Sequence, residues 1–144
     1  SMAASSAAAL AVARQNCRRH APGIRLVQGD WLTAFGAARF DLVVANPPYV
    51  RRGELPGLDP EVRAFEPQDA LVAGADGLDA VRALLADAPR VLLPGGWLVC
   101  EIGAGQGAAV TAIARSWAEG AGDVRLLLDH AGLDRVVAVR RGED

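Results

Sequence analysis

Phe40-Asp41-Leu42-Val43-Val44-Ala45-Asn46-Pro47-Pro48-Tyr49 is the stretch that decides the fold class of this chain of 144 residues. Phe40 to Ala45 is short, β-branched and nearly uncharged, which predicts a strand buried on both faces of a parallel sheet. Asn46 then stands just beyond its carboxyl end, the edge at which open α/β sheets bind ligands. Outward from there, Ser6 to His20 is alanine-rich and helix-forming, Pro22-Gly23 stops it, and Ile24 to Gln28 reads as a strand. Arg51 to Gln68 is polar, proline-rich and unpatterned, long enough for a functional loop. Helical spacing returns from Gly77 to Leu93 and is broken by Pro94-Gly95-Gly96. A strand over Trp97 to Ile102, a helix over Gln106 to Ala118 and strands over Val124 to Leu128 and Arg135 to Arg140 complete the alternation. Strand and helix in turn predict an α/β fold with a mainly parallel sheet.

Composition narrows the functional classes. The length suits one domain with a real core. All 15 basic residues are arginine, and the net charge of −2 argues against a general nucleic-acid surface. Cys17 and Cys100 lack metal-type spacing and read as small buried hydrophobes in a reducing compartment; no metal site is expected. No segment approaches the ~18 apolar residues of a membrane span, and no secretory signal is seen, so a cytoplasmic chain is expected.

The tetrapeptide after the strand suits the handling of a planar nitrogen, as methyl transfer onto an amide or amino group requires. Such a nitrogen is a poor nucleophile because its lone pair is delocalised. The Asn46 side-chain oxygen and the Pro47 carbonyl can each accept one N–H of a target NH2, fixing its plane. The two prolines remove backbone freedom and bring no competing N–H. Tyr49 offers a flat face for the amide or base. Positioning supplies most of the rate, since the proton can leave after the methyl has moved. A strand-ending turn would use the same residue types.

Taken in order, the motifs resemble the class I methyltransferases that use S-adenosylmethionine, and within them the HemK-type glutamine N5-methyltransferases of peptide-chain release factors. The residues that carry the resemblance are Leu10 to Asn16, Gly29-Asp30-Trp31, Asn46-Pro47-Pro48-Tyr49, Phe65-Glu66-Pro67, Ala70 to Ala73, Asp76-Gly77-Leu78, Leu93 to Leu98, Glu101-Ile102-Gly103 with Gln106-Gly107, and Asp134 to Val137. The tetrapeptide alone is shared with DNA adenine and ribosomal RNA guanine methyltransferases; the string between residues 65 and 78 narrows the choice. The resemblance implies a Rossmann-like sheet with an antiparallel last strand. It implies S-adenosylmethionine as cofactor, with Trp31 covering the adenine, Asp30 accepting from its amino group, and Asn46 facing both cofactor and substrate. It further implies that Asn46, Pro47, Pro48 and Tyr49 hold a glutamine amide of a release factor, with Asn46, Pro47 and Tyr49 the catalytic set. Glu66 would shape the substrate side.

The sequence also departs from that family. Its first two strands, including the glycine-rich cofactor loop and the acid that binds the ribose, and the N-terminal substrate-docking domain have no counterpart here. Ala3-Ala4-Ser5 stands where the acid is expected. Ile24 to Gln28 is therefore expected to lose its neighbours, with self-association through an unpaired sheet edge as one outcome. Two alternatives stay open. Gly103-Ala104-Gly105-Gln106-Gly107 with Asp129 has the layout of a cofactor fingerprint, which would make the chain a permuted N-methyltransferase acting on adenine or guanine. A non-catalytic fragment that keeps the substrate loop but binds no cofactor alone is the other.

Overall fold

The fold was obtained as a computed structural model that describes residues 2–4, 6–49, 74–117 and 121–143. Helix α1, Ala7–His20, begins where the Ser6 hydroxyl accepts the Ala9 N–H at 3.3 Å and ends with Arg18, Arg19 and His20 in its last turn. Both features suit the helix dipole and its unpaired terminal groups. Only Leu10 of this helix is buried. On either side of it lie two short strands, β1 (Met2–Ala4) and β2 (Leu26–Gln28), paired in parallel with Ala3 opposite Val27. The strand at Met2–Ala4 was not expected. Alanine has little strand preference, and it is the pairing with β2 that holds these residues extended. Thus β2 does have a neighbour.

The main sheet has the order β3-β4-β6-β5, with β3 at Phe40–Ala45, β4 at Leu92–Glu101, β5 at Ala121–Leu128 and β6 at Asp134–Arg141. β3 and β4 run parallel, while β6 is antiparallel to both β4 and β5. The antiparallel last strand was expected from the resemblance.

Two helices close one face of this sheet. Helix α2, Asp79–Val91, turns Val81, Leu84, Leu85, Ala88 and Val91 inward, and helix α3, Gly107–Arg115, contributes Val110 and Ala114. These meet Leu92, Leu98 and Cys100 of β4, Ile102, and Val137 and Val139 of β6 in a single core cluster. Burial on this scale, at roughly 25 cal/mol per Å² of apolar surface, is what holds the sheet and helices together.

Three expectations need correction. β3 is not buried on both faces: Leu42 and Val44 are 54% and 71% exposed, because this edge strand packs only Phe40, Val43 and Ala45 against the core. Pro94-Gly95-Gly96 does not separate helix from strand, since β4 starts at Leu92 and runs through it. Glycine is required at 96, where an added Cβ would stand 2.9 Å from the Leu93 carbonyl oxygen and 3.0 Å from that of Phe40. Cys17 is half-buried rather than buried; Cys100 alone fits the expected role.

Candidate active site

The parallel pairing of β3 with β4 delivers the chain to Asn46 directly after Ala45, at the carboxyl end of both strands. Asn46 is exposed, Pro47 buried, and Pro48 and Tyr49 half-buried. The sequence therefore anchors its prolines in the protein and leaves Asn46 exposed. Glu66 lies outside the described residues, as does the loop over Arg51 to Gln68.

Behind the tetrapeptide is the turn that joins β4 to α3. The Tyr49 ring lies against Gly103, where a Cβ would stand 3.1 Å from its Cδ2. Gln106, the buried polar residue of this region, fills the turn from within. Its Oε1 accepts the Gly103 N–H at 2.8 Å, and its Nε2 donates to the carbonyls of Tyr49 and Gly77 at 3.3 Å and 3.2 Å. At the start of α3 the Gly107 N–H donates to Asp134 Oδ2 at 2.8 Å. The N–H groups of Gly103 and Gly107 are thus spent inside the protein. A loop that cradles a cofactor keeps such donors free, so the geometry disfavours the permuted reading of Gly103 to Gly107.

Arg135, at the start of β6, reaches the same corner. Its guanidinium contacts Asp129 at 3.0 Å and Glu101 at 4.0 Å. The Asp129 hydrogen bond raises its pKa, helped by the charges of Asp129, Tyr49 and Glu101. Asp129 itself lies below the usual carboxylate range, because its carboxylate accepts the N–H groups of Leu133 and Ala131 and pairs with Arg135. The carboxylate organises the β5–β6 turn and stays ionised. Cys100 is no nucleophile: burial, with Glu101 nearby, pushes its thiol up to about 12.

Asp30 and Trp31 follow the carboxyl end of β2. Asp30 is exposed, and Trp31 is half-buried with part of its ring packed on the core. Trp31 has φ 50°, a left-handed conformation that bulky residues rarely adopt. The surrounding loop holds it there. Thr33 donates through N–H and hydroxyl to the Asp30 carbonyl at 3.1 Å and 2.6 Å. Arg90 of α2 donates to the carbonyls of Leu32 and Phe35. A partly exposed indole beside an exposed carboxylate suits a purine, whose face stacks and whose amino group donates.

The contributions of Gln106, Gly77 and Arg135 to this corner were not read from sequence. Gln106 appeared among the residues of the resemblance and in a glycine-rich turn, with no role of its own, and a buried amide so placed looks like any helix-start glutamine. Among the described residues no group of three His, Cys, Asp or Glu side chains is placed to hold a metal, and no helix is long and apolar enough to cross a membrane.

Comparison with known proteins agrees with the resemblance. The family described as "Methyltransferase small domain" matches residues 1–56. The release factor glutamine methyltransferase of Geobacter sulfurreducens is 43% identical over 137 residues, covering 95% of this chain and 48% of that protein. The protein of the same name from Caulobacter vibrioides is 48% identical over 134 residues, covering 92% of this chain and 46% of its own length. The chain spans about half the length of the curated relatives it matches. Among solved structures, a methyltransferase from Pyrococcus furiosus superposes with a TM-score of 0.68 at 16% identity, over 97% of this chain and 61% of that one. A chain of the E. cuniculi Mtq2-Trm112 complex, responsible for methylation of the eRF1 translation termination factor, gives 0.55 at 16% identity, over 96% and 80%. The fold is that of class I methyltransferases.

Proposed function

We propose that this chain, homologous along 95% of its length to release factor glutamine methyltransferases, carries the substrate-gripping part of an enzyme that methylates N5 of a glutamine side chain in a peptide-chain release factor. The observation that carries the reading is the Asn46 to Tyr49 segment at the carboxyl end of β3. Asn46 is exposed while the last residue of the segment is fastened to the β4–α3 turn.

S-adenosylmethionine, when bound, supplies an electrophilic methyl group on a sulfonium sulfur. Asp30 and Trp31 would hold its adenine end, and Asn46 would face both cofactor and substrate. Asn46 Oδ1 and the Pro47 carbonyl accept the two N–H groups of the glutamine amide, turning its lone pair toward the methyl carbon. Transfer would form the N–C bond as the S–C bond of the cofactor broke, leaving its electron pair on sulfur. The nitrogen becomes cationic in the transition state, and the two acceptors stabilise that charge because they are already aimed at its hydrogens. The surplus proton then leaves to water, so no strong base is needed. Tyr49 supports the plane of the amide from one side.

A release factor supplies the glutamine and acts in translation, which makes the cytoplasm the place of reaction. A nucleic-acid base is a weaker candidate: the chain has net charge −2 and no basic run. The test places this chain in the aligned half of the Geobacter sulfurreducens release factor glutamine methyltransferase and incubates the chimaera with saturating S-adenosylmethionine and a bacterial release factor, with the modified residue mapped by tandem mass spectrometry. Methylation of a glutamine supports the reading, whereas methyl transfer to nucleic acid under the same conditions would replace it.

A further inference from the structure

We infer that Gln106 is the positioning residue of the site, a clip whose single side-chain amide fixes the root of the substrate loop. The inference rests on the proposed function and adds to it a residue that never touches the substrate. Gln106 is 6% exposed. Its oxygen is taken by the Gly103 N–H at 2.8 Å, and its NH2 donates to the carbonyls of Tyr49 and Gly77. The reverse orientation of the amide would aim its oxygen at two carbonyls and its NH2 at an N–H, so the contacts fix it one way round.

Tyr49 and Gly77 stand 28 positions apart in the sequence. One amide therefore ties both to the turn after β4. The hydrogen bond to Tyr49 restrains the last residue of Asn46-Pro47-Pro48-Tyr49, and two prolines transmit the restraint to Asn46 and the Pro47 carbonyl with little backbone freedom to absorb it. Misplacement of positioned groups by about 1 Å can cost about 100-fold in rate.

The test compares the chain with its Gln106→Met variant, which keeps the volume and removes all three hydrogen bonds. Tyr49 is the single tyrosine, so fluorine-labelled tyrosine gives one NMR signal for the loop root. The expected result is a Tyr49 signal that moves toward that of free tyrosine while signals of the core methyl groups stay in place. In a chimaera that carries this chain in place of the aligned half of the Geobacter sulfurreducens release factor glutamine methyltransferase, the same substitution at saturating S-adenosylmethionine should lower turnover at least about 30-fold with KM for the release factor changed less than about 3-fold. A Tyr49 signal that does not move overturns the inference, and so does a displaced Tyr49 with unchanged turnover. Absence of turnover in the unsubstituted chimaera counts against the proposed function instead, and the Tyr49 signal still decides whether the clip exists.

Discussion

The ring of Tyr49 rests on the Cα of Gly103, so close that a Cβ added there would stand 3.1 Å from Tyr49 Cδ2 and 3.2 Å from Gln106 Oε1. The last residue of the substrate loop thus depends on a glycine 54 positions later in the chain. Gly103 has no unusual φ, so its value lies in the space it leaves. Gly103→Ala is expected to push Tyr49 outward at an overpacking cost of about 1–3 kcal/mol. Thermal unfolding together with turnover checks this, and a variant with unchanged turnover would separate Tyr49 from the reaction.

Asn46→Ala tests the substrate grip. Asn46 is exposed. In a complete enzyme turnover is expected to fall by about 100-fold, the usual cost of removing one preorganised polar group at a reacting centre. Affinity for S-adenosylhomocysteine, read by calorimetry, should stay nearly constant. Equal losses in both would remove Asn46 from the substrate side.

Trp31→Ala addresses the cofactor side. The indole is half-buried beside exposed Asp30, and in a complete enzyme its stacking face is expected to account for about 10-fold in affinity for S-adenosylhomocysteine, or about 1.4 kcal/mol. Trp31→Gly should lose the same affinity while recovering the backbone strain of φ 50°. Unchanged affinity in both variants would return Trp31 to an ordinary packing role.

The pH dependence of stability has a definite sign at Asp76. Its carboxylate accepts from Arg82 and from the Leu78 N–H at 3.1 Å, which lowers its pKa from 3.8 to about 2, the Arg82 hydrogen bond being the main cause. A depressed carboxylate stabilises the fold fully above 3.8 and loses that contribution as pH falls through about 2. Thermal unfolding of the chain and of Asp76→Ala should therefore differ at pH 6 and converge as the pH falls to about 2. A difference that persists at the acidic end would mean that the ion pair is not its source.

Much of this was readable in the sequence because it is local. The apolar run at Phe40 to Ala45, the prolines behind Asn46 and the helical spacing of Leu84, Leu85 and Ala88 each carry their signal within a few residues. What escaped is set by contacts between distant residues. Whether Leu42 and Val44 are covered depends on neighbours, and β3 is an edge strand of its sheet. β4 runs through Pro94-Gly95-Gly96 because Gly96 lets the Phe40 carbonyl approach, which no local preference encodes. Gln106 reaches Tyr49 across 57 positions and Gly77 across 29, so its motif was legible but its tie to the Asn46 to Tyr49 segment was not. Met2–Ala4 becomes a strand only by pairing with Leu26–Gln28.

The most direct measurement exchanges the aligned half of the Geobacter sulfurreducens release factor glutamine methyltransferase for residues of this chain. The chimaera is then assayed for methylation of a release factor by mass spectrometry, with its Asn46→Ala form beside it. The 43% identity across the exchanged region makes folding of the chimaera a fair expectation. Methylation of a glutamine, lost in the Asn46→Ala form, is the expected result. A folded chimaera that binds S-adenosylhomocysteine and leaves the glutamine unmodified would contradict the assignment of Asn46 to Tyr49 as a glutamine-methylating site.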